Sequence, residues 1–105
     1  MSLIKPNEGV ITQVNVFTCK PENQQALIEL LIESAHTARE VPGWISANIH
    51  RSLDGMRVVN YAQSASLEAA QAVIDQLKRT GFFERTKRLG EAHPGLYEVV
   101  FTLQK

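Results

Sequence analysis

The sequence lacks the residue clusters on which most metal and redox sites depend. Its single cysteine, Cys19, can form neither an internal disulfide nor a cysteine ligand set. The three histidines, at positions 36, 50 and 93, are widely spaced. There is also no glycine-rich phosphate loop, His-Glu-x-x-His helix or Gly-x-Ser-x-Gly elbow. We therefore predict that the protein binds no metal and no cofactor.

Charge of one sign and long apolar runs are also missing. The 11 basic residues balance the 11 acidic ones, whereas a nucleic-acid-binding domain usually has a basic excess. No stretch reaches the length of about 18 apolar residues that a membrane span needs, and the first residues contain no apolar segment of signal-peptide length. The sequence thus predicts a cytoplasmic protein without nucleic-acid or membrane partners, which leaves small molecules and other protein chains.

The length and the hydrophobic content of the chain suffice for one domain. The chain has 105 residues, of which 44% are hydrophobic, and a chain of this size can bury a core without disulfides or structural metals. We expect an N-terminal tail over residues 1–9 and a single domain over 10–105.

Hydrophobic periodicity predicts four strands and three helices. Strands are expected over 10–18, 44–51, 56–63 and 96–103, where apolar and β-branched residues dominate. Helices are expected over 21–40, from Ser66 as an N-cap onward, and over 82–89. Gly90, or the His93, Pro94, Gly95 sequence, is expected to end the third helix.

The order strand, helix, strand, strand, helix, strand is that of the ferredoxin-like α+β fold, a four-stranded antiparallel sheet with helices on one face. This plan leaves the other sheet face uncovered, although the predicted strands are apolar on both faces. A second copy of the chain is the simplest cover. We therefore predict a homodimer with twofold symmetry whose sheets face each other.

The hairpin between the second and third strands decides which residues share a face. A two-residue turn at Asp54 and Gly55 puts His50 on the face opposite Asn60. A three-residue loop over 53–55 shifts the register by one and puts both residues on the same face. The sequence leaves both alternatives open.

Two asparagines stand in the middle of otherwise apolar strands. Asn15 in the first strand and Asn60 in the third lie in the two central strands of the predicted sheet, so they can be neighbours on one face. A buried amide without a partner costs about 1 to 3 kcal/mol, so each should be hydrogen-bonded. Either the two bond to each other or to water and specify the core, or they point donors into a ligand pocket between sheet and helices.

The segments 14–17, 42–44, 50–63 and 96–100 resemble the antibiotic biosynthesis monooxygenase family, and the resemblance extends over about residues 10–103. It implies a dimeric α+β barrel. It also implies oxygenation of an anthrone-type aromatic polyketide or a quinol by dioxygen, without metal, flavin or haem.

The resemblance also assigns roles to individual residues. Asn15 and Asn60 match the family asparagines that stabilise a substrate oxyanion, and His50 matches a pocket histidine, which favours the three-residue hairpin. Ser64 stands where anthrone oxygenases of the family carry tryptophan, so the pocket should be wider. Ser64, Phe17 and Phe82 are predicted to contact the substrate.

Two functions follow as hypotheses. The first is a cofactor-independent monooxygenase for an aromatic hydroxy compound, with Asn60 and Asn15 as oxyanion stabilisers and His50 as a base. The second is a non-catalytic dimeric binding or sensor protein that lost oxygenation with the tryptophan. Haem binding, as in a related branch of the fold, is a third alternative that the lack of a histidine on the second helix disfavours.

Overall fold

The computed structural model describes residues 9–105, so the predicted tail lies outside the described residues except for Gly9. The strands are β1 (Ile11–Cys19), β2 (Trp44–Arg51), β3 (Arg57–Ser64) and β4 (Gly90–Glu98). The helices are α1 (Gln24–Ala38), α2 (Leu67–Arg79) and α3 (Phe82–Lys87), and a 3-10 turn (Pro21–Asn23) precedes α1. The strands form one antiparallel sheet in the order β2-β3-β1-β4, which confirms the predicted ferredoxin-like fold.

Local sequence signals correctly predict where β2 and α2 begin. The Ser66 hydroxyl accepts a hydrogen bond from the Ala69 amide at 3.1 Å, and this N-cap begins α2 as predicted. Before β2, Gly43 has a φ of +90°, and a β-carbon on it would lie 2.6 Å from Cβ of Ala69. Only glycine therefore allows this turn to approach α2 so closely.

The last strand lies earlier in the chain than predicted. It begins at Gly90, and Pro94 and Gly95 lie inside it, although they were expected to precede the strand. Because β4 is at the edge of the sheet, a residue without a backbone donor is tolerated there. The strand ends at Glu98, which pairs with Ile11, the first residue of β1. Within residues 9–105, β1 does not extend far enough to pair with the residues after Glu98.

Residues 52–56 join β2 to β3, and a hydrogen bond between Ser52 and Arg57 closes a four-residue loop over 53–56. The Ser52 amide donates to the Arg57 carbonyl at 3.1 Å, and Gly55, with a φ of +80°, donates to the Ser52 carbonyl at 3.3 Å. The Asp54 carboxylate accepts hydrogen bonds from the Met56 amide, the Ser52 hydroxyl and the Arg57 guanidinium. These donors, the Met56 amide above all, lower the pKa of Asp54 from 3.8 to about 2.

The lowered pKa predicts how acid affects this loop. Since the pKa of Asp54 is lower in the folded state than in the unfolded one, its stabilising effect is complete above about pH 4 and is lost as the pH falls toward 2. We expect Asp54→Asn to melt below wild type at pH 6, with the gap closing on acidification. Thermal unfolding followed by circular dichroism tests this, and a gap that stays constant down to pH 2 would contradict it.

The register divides the sheet into two faces. The helix-covered face carries Phe17 and Val58, which form the core with Leu27, Ile28 and Leu31 of α1. The opposite face carries the half-buried Val14, Val16, Val59 and Tyr61 in its two central strands. Among residues 9–105, no helix is long and apolar enough to cross a membrane.

Candidate active site

Asn15 and Asn60 are direct cross-strand partners in the middle of the sheet. They alternate with Phe17 and Val58 on the same face, so both lie on the side that the helices cover. The prediction that the two central strands bring these asparagines together is confirmed. Their amides are the polar groups around which a site between sheet and helices can form.

The orientation of the Asn15 amide follows from one hydrogen bond. Its Oδ1 accepts from the backbone amide of His93 on β4 at 3.1 Å. A backbone N–H can only donate, so the oxygen end of the Asn15 amide points toward β4. The Nδ2 group is the end of Asn15 that remains to donate to a ligand.

Asn60 has a buried polar atom without a partner. Its Oδ1 is inaccessible to solvent, and among the described residues no group donates a hydrogen bond to it. An unpaired buried acceptor costs about 1 to 3 kcal/mol, and in a native structure such an atom often marks a place that a ligand or an ordered water fills. The structure therefore does not support the alternative in which the Asn15 and Asn60 side chains hydrogen-bond to each other.

The other three predicted substrate contacts are all almost completely buried. Ser64 is on the same face as Asn60 but only 6% exposed, and it pairs with Trp44 of β2. Phe17 is 3% exposed within the core. Phe82 is 5% exposed and lies beneath the guanidinium of Arg85, 5.1 Å from the ring centroid. Both phenylalanines act as core residues in this structure, with little surface free for a substrate.

His50 does not join the asparagines. Ile49 is the partner of Asn60 in β2, and His50 pairs with Val59, so His50 lies on the face opposite Asn60. The three-residue hairpin that the resemblance favoured is therefore wrong, because the four-residue loop keeps the register of the two-residue alternative. On its own face His50 borders an open cleft of about 520 Å³ with Val16 and Val59.

Two further groups can be assigned from their surroundings. Burial raises the pKa of the Cys19 thiol, and nearby Asp54 raises it further, so the thiol stays protonated at neutral pH and serves as a packing residue. Within the described part of the chain, no three His, Cys, Asp or Glu side chains come together as metal ligands would.

Comparison with known proteins assigns the family. The family model for antibiotic biosynthesis monooxygenase matches residues 10–73. The tetracenomycin-F1 monooxygenase of Streptomyces glaucescens is 34% identical over 100 residues, which cover 94% of this chain and 89% of that protein. The chain belongs to the antibiotic biosynthesis monooxygenase family.

Solved structures of similar proteins agree with this family. The ActVA-Orf6 monooxygenase of Streptomyces coelicolor, in complex with the ligand nanaomycin D, is 27% identical with a TM-score of 0.82, covering 99% of both chains. SnoaB of Streptomyces nogalater, a cofactor-independent oxygenase, shares the fold with a TM-score of 0.79 at 21% identity, covering 92% of this chain and 99% of that one.

Two features of this family member escaped the sequence prediction. Trp44 of β2 is the cross-strand partner of Ser64. An indole therefore lies on the strand next to Ser64, the residue that replaces the tryptophan of the family's anthrone oxygenases. Gln76 of α2 has a buried Oε1 that, like Oδ1 of Asn60, has no partner among the described residues. A sequence signal for Gln76 existed, since it follows Ala69 and Val73 at the i, i+4, i+7 spacing of one helix face.

Proposed function

We propose that this protein is a cofactor-independent monooxygenase that oxidises an aromatic hydroxy compound, an anthrone-type polyketide or a quinol, with dioxygen. The observation that carries the proposal is the buried, unpaired amide oxygen of Asn60 beside Asn15. The 34% identity to a tetracenomycin-F1 monooxygenase supports the aromatic polyketide class.

The two amides suit a substrate oxygen that changes from hydroxyl to anion. Nδ2 of Asn15 donates to this oxygen, since its Oδ1 is held by the His93 amide. The amide of Asn60 offers an acceptor, Oδ1, to the neutral hydroxyl and a donor, Nδ2, to the anion. A preorganised amide donor of this kind is worth about 3 kcal/mol in the transition state.

Deprotonation is what makes the substrate reactive. The enolate of an anthrone gives one electron to dioxygen, and the resulting radical combines with superoxide to a peroxide anion. This anion takes up one proton, which replaces the proton that the substrate lost. Loss of water from the peroxide leaves a carbonyl, so one oxygen atom enters the product and the other leaves as water. The protein has to stabilise the anion and limit its contact with water, and the half-buried asparagine pair on the helix-covered face of the sheet supports both requirements.

Oxygen uptake tests this function. We expect the protein to consume dioxygen with an anthrone or with a hydroquinone, at the same rate before and after treatment of the protein with a metal chelator. Absence of uptake above the protein-free rate with both substrates would contradict the proposal. Binding of the anthrone without uptake would instead support the non-catalytic binding protein.

The proposal includes a homodimer that packs through the sheet face opposite the helices. Val14, Val16, Val59 and Tyr61 present apolar surface there. The segment after β4 adds exposed apolar side chains, with Val100 at 77%, Phe101 at 72% and Leu103 at 86% exposure. Large areas of exposed apolar surface in a protein often mark an interface with another chain.

A charge on this face should separate the subunits. We expect Val59→Asp to convert a dimer into a monomer in sedimentation equilibrium, because two buried carboxylates would face the apolar surface of the other copy. Leu53→Asp, at the fully exposed hairpin loop, is the matched control and should leave the mass unchanged. A wild-type protein that sediments as a monomer at micromolar concentration would contradict the dimer.

A further inference from the structure

Gln76 is a polar residue on the inward face of a helix. It follows the buried Ala69 and Val73 at i, i+4, i+7 spacing, so the three side chains share one face of α2. α2 packs against β3 and β1, the strands of the two asparagines. The Oε1 of Gln76 is buried and, among residues 9–105, receives no hydrogen bond.

The lengths of strand and helix bring Gln76 to the level of Asn60. Asn60 lies four residues before the end of β3 at Ser64, about 13 Å at the rise of a strand. The chain then turns back into α2, where Gln76 lies nine residues after Leu67, about 13 Å at the rise of a helix. Gln76 and Asn60 thus lie at similar distances from the turn between β3 and α2, on elements that pack against each other.

The two unpaired amide oxygens, of Asn60 and Gln76, need the same kind of partner, a hydrogen-bond donor. A hydroxyl group suits either end of an amide, because it donates to the carbonyl oxygen and accepts from the NH₂ group. A water molecule could satisfy one such oxygen, but two unpaired amide oxygens at similar distances from the same turn fit a ligand with two hydroxyl groups. The surrounding inward residues, Ala70 and Val73, supply apolar contacts to its rings.

We propose that Gln76 is a substrate-binding residue that recognises a second hydroxyl group of the aromatic substrate, separate from the one held by Asn60. The inference rests on the proposed function, because it places Gln76 in the same site. It narrows the substrate class to aromatic compounds with hydroxyl groups at two ring positions, rather than one.

Binding without oxygen tests this contact independently of catalysis. Quenching of the fluorescence of the single tryptophan, Trp44, measures ligand binding under anaerobic conditions. Dissociation constants are compared for anthrone and for the isomeric monohydroxyanthrones, each with its hydroxyl group at a different ring position. We expect at least one isomer to bind wild type about tenfold more tightly than anthrone, and Gln76→Met to reduce this preference to near unity. Gln76→Glu retains an acceptor oxygen and should keep the preference.

The control is the same substitution on the outer face of the same helix. Gln71→Met changes an exposed residue and should leave every dissociation constant unchanged, while melting curves establish that all variants fold. If no isomer gains affinity, or if the gain survives Gln76→Met, the proposal is overturned. A preference that Gln76→Met removes supports it even where oxygen uptake is absent, and in that case only the proposed oxygenase function fails.

Discussion

Replacing Asn60 with alanine is expected to lower the rate of oxygenation by about 100-fold while leaving the fold at least as stable as wild type. The loss of rate follows from removing one amide that we propose stabilises the substrate anion. The unchanged stability follows from the unpaired Oδ1, because its removal deletes a buried acceptor that no group of the described chain satisfies. Steady-state oxygen uptake and chemical denaturation measure the two effects.

Asn15→Ala should behave differently from Asn60→Ala. It removes a donor from the site and also the acceptor that holds the His93 amide of β4, so activity and stability should both fall. Asn23→Ala, at the start of α1 where the side chain makes no capping bond, is the control and should change neither. Activity that survives Asn60→Ala would contradict the assigned role, as would a loss of stability equal to that of Asn15→Ala.

Leu27→Ala is expected to destabilise the fold by about 3 kcal/mol. Leu27 is 0% exposed and joins α1 to Phe17 and Val58 on the sheet. Its truncation leaves a cavity in the layer that also covers the asparagine pair. For a domain of this size, such a change corresponds to a melting temperature lower by more than about 10 °C.

The matched control for Leu27 is another leucine in the opposite environment. Leu53 lies in the hairpin loop at 104% exposure, so Leu53→Ala should stay within about 0.5 kcal/mol of wild type. Urea denaturation of the three proteins gives the comparison. Equal losses in both variants would show that Leu27 is not at the centre of the core.

The sequence predicted those elements whose signals are local. Ser66 has its own capping hydrogen bond, and the Pro42, Gly43 turn ends the first helix region whatever the rest of the chain does. Alternation of apolar residues was sufficient to bring Asn15 and Asn60 together, because the ferredoxin-like order makes their strands neighbours.

The errors arose where the outcome depends on tertiary context. Pro94 and Gly95 are ordinary turn residues in the sequence, and only the edge position of β4 allows them inside a strand. The face of His50 depends on loop length, since one residue more or less exchanges the two faces of a strand. Gln76 was overlooked because a polar residue on a helix usually faces water.

The most direct test of the account is the fate of isotopically labelled dioxygen. Wild-type protein is incubated with an anthrone under oxygen-18 gas in the presence of a chelator, and the quinone product is analysed by mass spectrometry. We predict that the protein-dependent product carries one labelled atom at the new carbonyl, with the second atom in water, and that Asn60→Ala forms this product about 100-fold more slowly. Product formation at the protein-free rate, or equal rates for wild type and Asn60→Ala, would contradict it.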